Sequence, residues 1–225
     1  MNNNFYTKYE YAQKMLEAEL NILIDSFERK HGYTPVEHVK TRLKTLPSIQ
    51  KKLEKKGYSY NVENIEKHIM DVVGFRIVVS FLSDVYDIVS LISHSTNLII
   101  KQRKDYIENP KESGYTSYHL ILLVPIYLEN YVEYIPAEIQ VRTVAMDFWA
   151  SLDHKIRYKF KEEIPREVQN EMLSYAKDIR ELDHKMYYMN QIMNKYQWVH
   201  FLIVIFFSFT YNYSIEMEWK KNNVL

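Results

Sequence analysis

The chain has 225 residues, with 29 basic and 29 acidic side chains, so its formal net charge is zero. At 47 % hydrophobic and 26 % charged residues it has the composition of a chain that buries a core, and neither low hydrophobicity nor a large charge marks it as disordered. The absence of cysteine excludes a disulfide framework, a thiolate zinc site and a cysteine nucleophile, and zero net charge excludes a protein that coats nucleic acid through its overall charge.

The first residues, Met1 to Tyr11, lack the basic start and apolar stretch of a signal peptide. Leu16, Leu20, Leu23 and Phe27 recur at helical spacing with Ala12 and Ile24, which predicts an amphipathic helix over 5–30 that ends near Gly32. Residues 35–46 read as extended. Ser48, after Pro47, is expected to cap a short helix that stops at Gly57, and 61–68 gives another helical turn or two. Val72 to Phe81 is rich in β-branched and aromatic residues and predicts a strand. Ser83 or Asp84 is expected to cap a helix to about Thr96, with Val85, Ile88, Val89 and Ile92 facing inward.

Leu98 to Ile107 predicts a second strand, and Asn109-Pro110 and Ser113-Gly114 carry turn chemistry. Tyr118 to Leu128 and Tyr131 to Arg142 flank Glu129-Asn130, which suggests a hairpin. Thr143 is expected to cap a helix to about Phe160, and Pro165 to open a long polar helix to about Gln197. This order implies an α/β (α+β) fold, a mixed, roughly five-stranded sheet flanked by helices. The apolar run from Val199 to Phe209 is shorter than the roughly 20 residues a spanning helix needs. It is expected to be buried or oligomer-facing, with a surface anchor as the alternative.

Local charge departs from the neutral average. Between Val36 and Gly57 stand seven basic and two acidic residues, and from Lys101 to Lys111 four basic and two acidic ones. Such runs are commonly solvated faces. Here Arg42 and Lys44 share a strand face, Ser48 and Lys52 share a helix face, and a helix start beside cations suits phosphate. Glu138, Gln140 and Arg142 share one strand face by their period of two, and Asp71, Gly74 and Arg76 open an otherwise apolar strand. An exposed strand face and a simple ion pair would account for these singly. Together they offer oxygen ligands for magnesium and cations for phosphates. Tyr115, Ser117 and His119 lie on one strand face, either as packing around a tight turn or as a ring for stacking on a base and a donor for a phosphate.

The chain resembles the synthetase domain of the RelA/SpoT family, and most closely its small single-domain alarmone synthetases of the RelQ type. The resemblance rests on His38-Val39-Lys40-Thr41-Arg42-Leu43-Lys44 with Ser48-Ile49-Gln50-Lys51-Lys52, on Asp71-Val72-Val73-Gly74-Phe75-Arg76, and on Lys104-Asp105-Tyr106-Ile107. It continues through Pro110 to His119, Glu138-Ile139-Gln140-Val141-Arg142-Thr143, Phe148-Trp149-Ala150, His154 and Tyr158-Lys159, so it covers roughly residues 5–197. It implies transfer of the β,γ-pyrophosphate of ATP to the ribose 3′-hydroxyl of GDP or GTP, with GMP as a further acceptor and AMP released. Asp71 and Glu138 would hold Mg2+ (Mn2+ as the alternative), and Glu138 would orient or deprotonate the hydroxyl. Arg42 and Arg76 would sandwich the adenine, and Lys44, Ser48 and Lys52 would bind the triphosphate. Tyr115 would stack on the guanine, with Lys104, Lys111, His119 and Gln140 contacting the acceptor.

The resemblance further implies a cytoplasmic homotetramer, with single-stranded RNA as an additional partner. A non-catalytic RNA-binding relative using the two basic segments is the alternative. Two features depart from the family. Asp147 stands where relatives commonly have Asn, and the tail from Val199 is apolar where relatives end in polar helices, as a shifted reading frame would produce. The family's paired His-Asp metal ligands for alarmone hydrolysis are absent, so synthesis without hydrolysis is expected. The expected organisation is a synthetase domain over 1–198 and a separate tail over 199–225.

Overall fold

The stripe of Ala12, Leu16, Leu20 and Phe27 is buried along one side of a helix, α1 (Asn4–His31), in the computed structural model, which describes residues 4–160 and 164–222, with side chains for 5–160 and 164–196. The remaining elements are β1 (Val36–Leu43), α2 (Leu46–Lys55), α3 (Val62–His68), β2 (Val73–Val79), α4 (Leu82–Ser93), β3 (Ile99–Asp105), β4 (Tyr118–Tyr127), β5 (Val132–Thr143), α5 (Val144–Phe160) and α6 (Arg166–Asn222). The chain divides into two units, Met1–Asp183 and His184–Leu225.

In the first unit the strands form one mixed sheet of order β1-β2-β5-β4-β3, as the alternation of strands and helices implied. β2 and β5 run parallel, and the other three pairs are antiparallel. Val73, Phe75 and Ile77 of β2, Ala137, Ile139 and Val141 of β5 and Leu120 and Leu122 of β4 turn to one face. There α1 and α4 cover them in a continuous core. Each fully buried Leu or Ile contributes about 1.5–3 kcal/mol, so this face sets the register of the whole sheet. The opposite face carries the polar residues of the same strands.

A smaller cluster of Trp149, Met172 and Ala176 joins α5 to α6, and Tyr115 packs against it. The Trp149 indole donates to the Met172 carbonyl at 3.4 Å. Gly114 sits in this contact with a φ of +82°, and a Cβ there would lie 2.5 Å from the Ala176 Cβ.

Helix starts were only partly legible. Thr143 caps as expected, accepting from the Met146 N–H at 3.1 Å, and Asn61, for which no cap was named, caps α3 by accepting from the Asn64 N–H at 2.8 Å. Ser48 does not cap α2. The cap is Thr45, because Pro47 with its fixed φ already stands inside the first turn. Neither Ser83 nor Asp84 caps α4. The cap is Phe81, and the buried Asp84 carboxylate reaches back from the first turn to accept the Phe81 N–H at 3.1 Å. That burial pushes the Asp84 carboxyl up to about 6.

In the second unit the backbone stays helical through Asn222 and does not end near Gln197, since neither glycine nor proline follows Pro165. Met186, Tyr188, Met189, Met193 and Tyr196 are exposed there. The expected burial of Val199 to Phe209 concerns side chains outside the described ones. Among the described residues no helix is long and apolar enough to cross a membrane.

Gly114→Ala is expected to cost about 1–3 kcal/mol in urea denaturation, because it combines backbone strain with overpacking. Gly57→Ala shares the strain, at a φ of +78°, but meets nothing within 4 Å. It is expected to cost about 1 kcal/mol. Equal losses at the two sites would show that the Ala176 contact yields freely.

Candidate active site

The polar face of the sheet is organised in transverse rows, because directly opposite residues of paired strands project to the same side. One row crosses all five strands: Lys40 pairs with Arg76, Arg76 with Gln140, Gln140 with His119, and His119 with Lys104. The adjacent row runs from Arg42 through Gly74 to Glu138. Gly74 lets the Arg42 side chain lie across it. A Cβ at Gly74 would meet Arg42 Cγ and Nε at 3.4 Å. Together these residues line a cleft of about 190 Å3 bounded by Lys40, Arg42, Gly74, Arg76, Glu138 and Gln140.

At the mouth of β2, Asp71 receives two ammonium groups. Lys44 Nζ bonds one oxygen, and Lys52 Nζ bonds the other at 2.8 Å. Burial pushes the Asp71 carboxyl up, and the two lysines outweigh it, holding the carboxyl below its usual range. For Lys44 the balance is opposite. Burial lowers the ammonium, Asp71 only partly restores it, and Lys52 and Arg42 lower it further. The two results agree on one point: two ammonium groups share one carboxylate, so the cluster holds a surplus positive charge. Ser48, one turn before Lys52 on the first turn of α2, is exposed, and its hydroxyl lies 2.9 Å from that of Thr45.

On β5, Glu138 closes a ring of hydrogen bonds. Gln140 Nε2 donates to Glu138 Oε2 at 2.7 Å, and His119 Nδ1 lies 3.2 Å from Glu138 Oε1. His119 Nε2 meets the Tyr115 hydroxyl at 2.8 Å, and Arg142 Nη2 donates at 2.7 Å to both Tyr115 Oη and Gln140 Oε1. Burial holds His119 below the ordinary imidazole value, although Glu138 pulls it up. Burial pushes Glu138 up, and the hydrogen bonds from His119 and Gln140 hold it down. A neutral imidazole beside an ionised carboxylate carries its proton on Nδ1 and accepts from Tyr115 on Nε2. The ring is therefore directional, with every donor oriented toward Glu138.

The structure thus brings Asp71, Lys44 and Lys52 into one cluster, and Glu138, Gln140, His119 and Tyr115 into another. Glu138 senses the Asp71 charge. Lys111 lies over the Tyr115 ring, 4.8 Å from its centroid; partial burial lowers its ammonium, Glu138 opposes this, and Lys104, Arg142 and Lys52 add to the lowering. Ser117 keeps the side of Tyr115 and His119, since the Arg142 guanidinium bonds both its hydroxyl and that of Tyr115, but it is not in the strand. It lies before β4, fully buried, donating to the Val141 carbonyl at 3.3 Å and accepting from Arg142 Nε at 3.4 Å. His119 has no ring nitrogen left over for a phosphate.

Two residues join the site through a bridge that the sequence did not indicate. Arg142 is 4 % exposed and joins the ring to Asp147, whose Oδ1 accepts from Arg142 Nη1 at 3.0 Å and pairs with Arg76 Nη1 at 3.1 Å. Asp147 thereby separates two guanidinium groups, Arg76 on β2 and Arg142 on β5. The period-two pattern already put Arg142 on the Glu138 face. For Asp147 the signal was its departure from the Asn that relatives commonly carry, which pointed to the guanine and not to a bridge between arginines.

Asp147→Ala leaves both guanidinium groups facing each other without a counter-charge, and is expected to cost about 2–4 kcal/mol by chemical denaturation. Asp147→Asn, which keeps an acceptor, should cost less than half of that. For Asp71 the sign of the pH dependence follows from its lowered value. Its contribution is complete above the unfolded carboxyl range, near about pH 4, and is lost as pH falls through the folded value. Thermal melts from neutral to acid pH should show a steep acid limb, flattened in Asp71→Asn. Parallel curves would remove Asp71 from this linkage.

Residues 41–163 match the family described as "Region found in RelA / SpoT proteins". The chain is 43 % identical over 178 residues to GTP pyrophosphokinase YwaC of Bacillus subtilis (strain 168), covering 79 % of this chain and 85 % of that protein. It is 31 % identical over 182 residues to GTP pyrophosphokinase YjbM of the same organism, covering 81 % and 85 %. Its fold matches the crystal structure of small alarmone synthetase 2 from Bacillus subtilis with a TM-score of 0.75 at 40 % identity, over 84 % of this chain and 97 % of that one. It also matches small alarmone synthetase 1 bound to its product pppGpp with a TM-score of 0.76 at 30 % identity, over 85 % and 96 %. With most of its sheet inside the family match and relatives this similar over four-fifths of its length, the chain belongs to the RelA/SpoT family.

Proposed function

We propose that the protein transfers the β,γ-pyrophosphate of ATP to the ribose 3′-hydroxyl of GDP or GTP, releasing AMP and forming (p)ppGpp, with synthesis only. The observation that carries this reading is the pairing of two unlike clusters on one sheet face. One is a two-lysine, one-carboxylate cluster with surplus positive charge, suited to a triphosphate. The other is a carboxylate, Glu138, held ionised and oriented by His119 and Gln140. The relatives named above are GTP pyrophosphokinases, and one related structure holds pppGpp.

In this reading Lys44, Lys52 and Ser48 bind the ATP triphosphate, and Arg42, spread over Gly74, and Arg76 enclose the adenine in the cleft between β1 and β2. Tyr115 carries the guanine, and Lys104 and Lys111 face the acceptor phosphates. Glu138 accepts the proton of the 3′-hydroxyl as the 3′-oxygen attacks the β-phosphorus. The bond from that phosphorus to the α-phosphate oxygen breaks, and AMP leaves. A carboxylate has about four lone-pair sites, so the two bonds it accepts leave room for this proton. His119 and Gln140 act as positioning residues that direct those free lone pairs.

Among the described residues no cluster of three or more His, Asp and Glu side chains forms a preformed cage for a metal. Asp71 and Glu138, the carboxylates of the two clusters, are oxygen donors of the kind magnesium takes and would be the residues that hold it. Bound there, the ion would supply charge neutralisation at the phosphates.

Incubation with ATP, Mg2+ and each of GMP, GDP and GTP, followed by nucleotide chromatography, is expected to yield AMP and a 3′-pyrophosphorylated guanosine nucleotide in equal amounts. Glu138→Gln should bind ATP with unchanged affinity and lose at least about 100-fold in turnover. A folded protein that makes no AMP with any acceptor sinks the reading, and retained turnover in Glu138→Gln removes the base from its role. Release of pyrophosphate in place of AMP would indicate a nucleotidyl transfer.

A further inference from the structure

The Lys111 ammonium lies 4.6 Å from the centroid of the Tyr106 ring and 4.8 Å from that of Tyr115. The two rings stand 6.2 Å apart with an interplanar angle of 67°, so the lysine sits between two walls. The turn holds it there. The Lys111 N–H donates to the Tyr115 carbonyl at 3.1 Å, and the Gly114 N–H donates to the Lys111 carbonyl at 2.8 Å. Gly114, at positive φ, makes this tight reversal possible. The other neighbours of the Tyr115 ring are fixed. Trp149, His119 and Arg142 lie at 6.4, 5.8 and 5.2 Å, and all three are buried. Lys111 is the exposed one among them. No ion pair among the described residues gives it a carboxylate in contact; Glu138 attracts it from a distance, and Lys104, Arg142 and Lys52 repel it. The contacts that seat its ammonium are the two aromatic faces.

We propose that Lys111 is a displaceable plug in the acceptor base seat, between Tyr106 and Tyr115, that makes stacking conditional on phosphate. A purine reaches the Tyr115 face by displacing the ammonium. A nucleotide compensates, because its phosphates accept the released cation. A nucleoside offers no anion and must displace Lys111 without one. The device thus selects phosphorylated acceptors over free nucleosides and bases, and Tyr106 is the second wall of the seat. The inference rests on the reading of Tyr115 as the guanine-stacking residue.

The test measures binding of guanosine and GDP by calorimetry to the unaltered protein, Lys111→Ala and Tyr115→Leu. Two exposed cation–π contacts correspond to about 5- to 30-fold in affinity. Lys111→Ala is therefore expected to bind guanosine at least about threefold more tightly while binding GDP more weakly, an opposite shift for the two ligands. A second readout requires no substitution: the ε-methylene protons of Lys111, shifted upfield by the two rings, move downfield when GDP is added. Guanosine binding unchanged or weakened in Lys111→Ala, or ε-protons unmoved by GDP, overturns the plug while leaving the stacking role of Tyr115 intact. Unchanged GDP binding in Tyr115→Leu overturns that role, and the plug with it.

Discussion

The parallel pairing of β2 with β5 is the constraint from which the site follows. Its register sets Gly74 beside Glu138 and Arg76 beside Gln140. Side chains alternate across a sheet, so a slip by one residue would drive Glu138 and Gln140 into the core and expose Ile139. The buried row of Phe75, Ile77, Ile139 and Val141 forbids that slip. The hydrophobic core on one face therefore aligns the charged groups on the other. Gly74 contributes by its missing side chain, since the space above it is where Arg42 lies.

Charge on this face is arranged to be incomplete. Asp71 satisfies two lysines with a single carboxylate, and Asp147 keeps two guanidinium groups apart with one oxygen. Each acid serves two cations, so the surface retains positive charge at both ends of the cleft while the whole chain is neutral. Glu138 is the exception. Its two oxygens accept from a neutral imidazole and a neutral amide, which orient the carboxylate without cancelling its charge. In the proposed reading a base needs its charge available and a phosphate site needs surplus cations, and the two clusters would meet these needs separately.

The turn before β4 connects this chemistry to the α5–α6 pair. Tyr115 belongs to three assemblies at once: the Trp149 cluster through its ring, the hydrogen-bond ring through its hydroxyl, and the Lys111 contact through its face. Gly114 pressed against Ala176 fixes where that tyrosine stands. The turn is thereby anchored to the helices, and a chain of contacts runs from Ala176 and Trp149 through Tyr115 and His119 to Glu138.

Much of this was legible in the chain itself. Helical spacing identified α1, a β-branched run identified β2, and period two put Glu138, Gln140 and Arg142 on one face. All of these are local regularities set by the pitch of a helix or the pleat of a strand. Motif order identified the family. The sequence did not reveal where helices begin when proline enters the first turn, as in α2. Nor did it reveal that α6 continues past Gln197, because helix ends without glycine or proline leave no local mark. The closed ring through Arg142, the bridging of Arg76 and Arg142 by Asp147, and the seating of Lys111 between two tyrosines required the tertiary structure. Each joins residues from different strands and helices, and their distances depend on sheet register and helix docking. Local sequence determined which groups were present and which face they took; only packing of the core decided which of them touch.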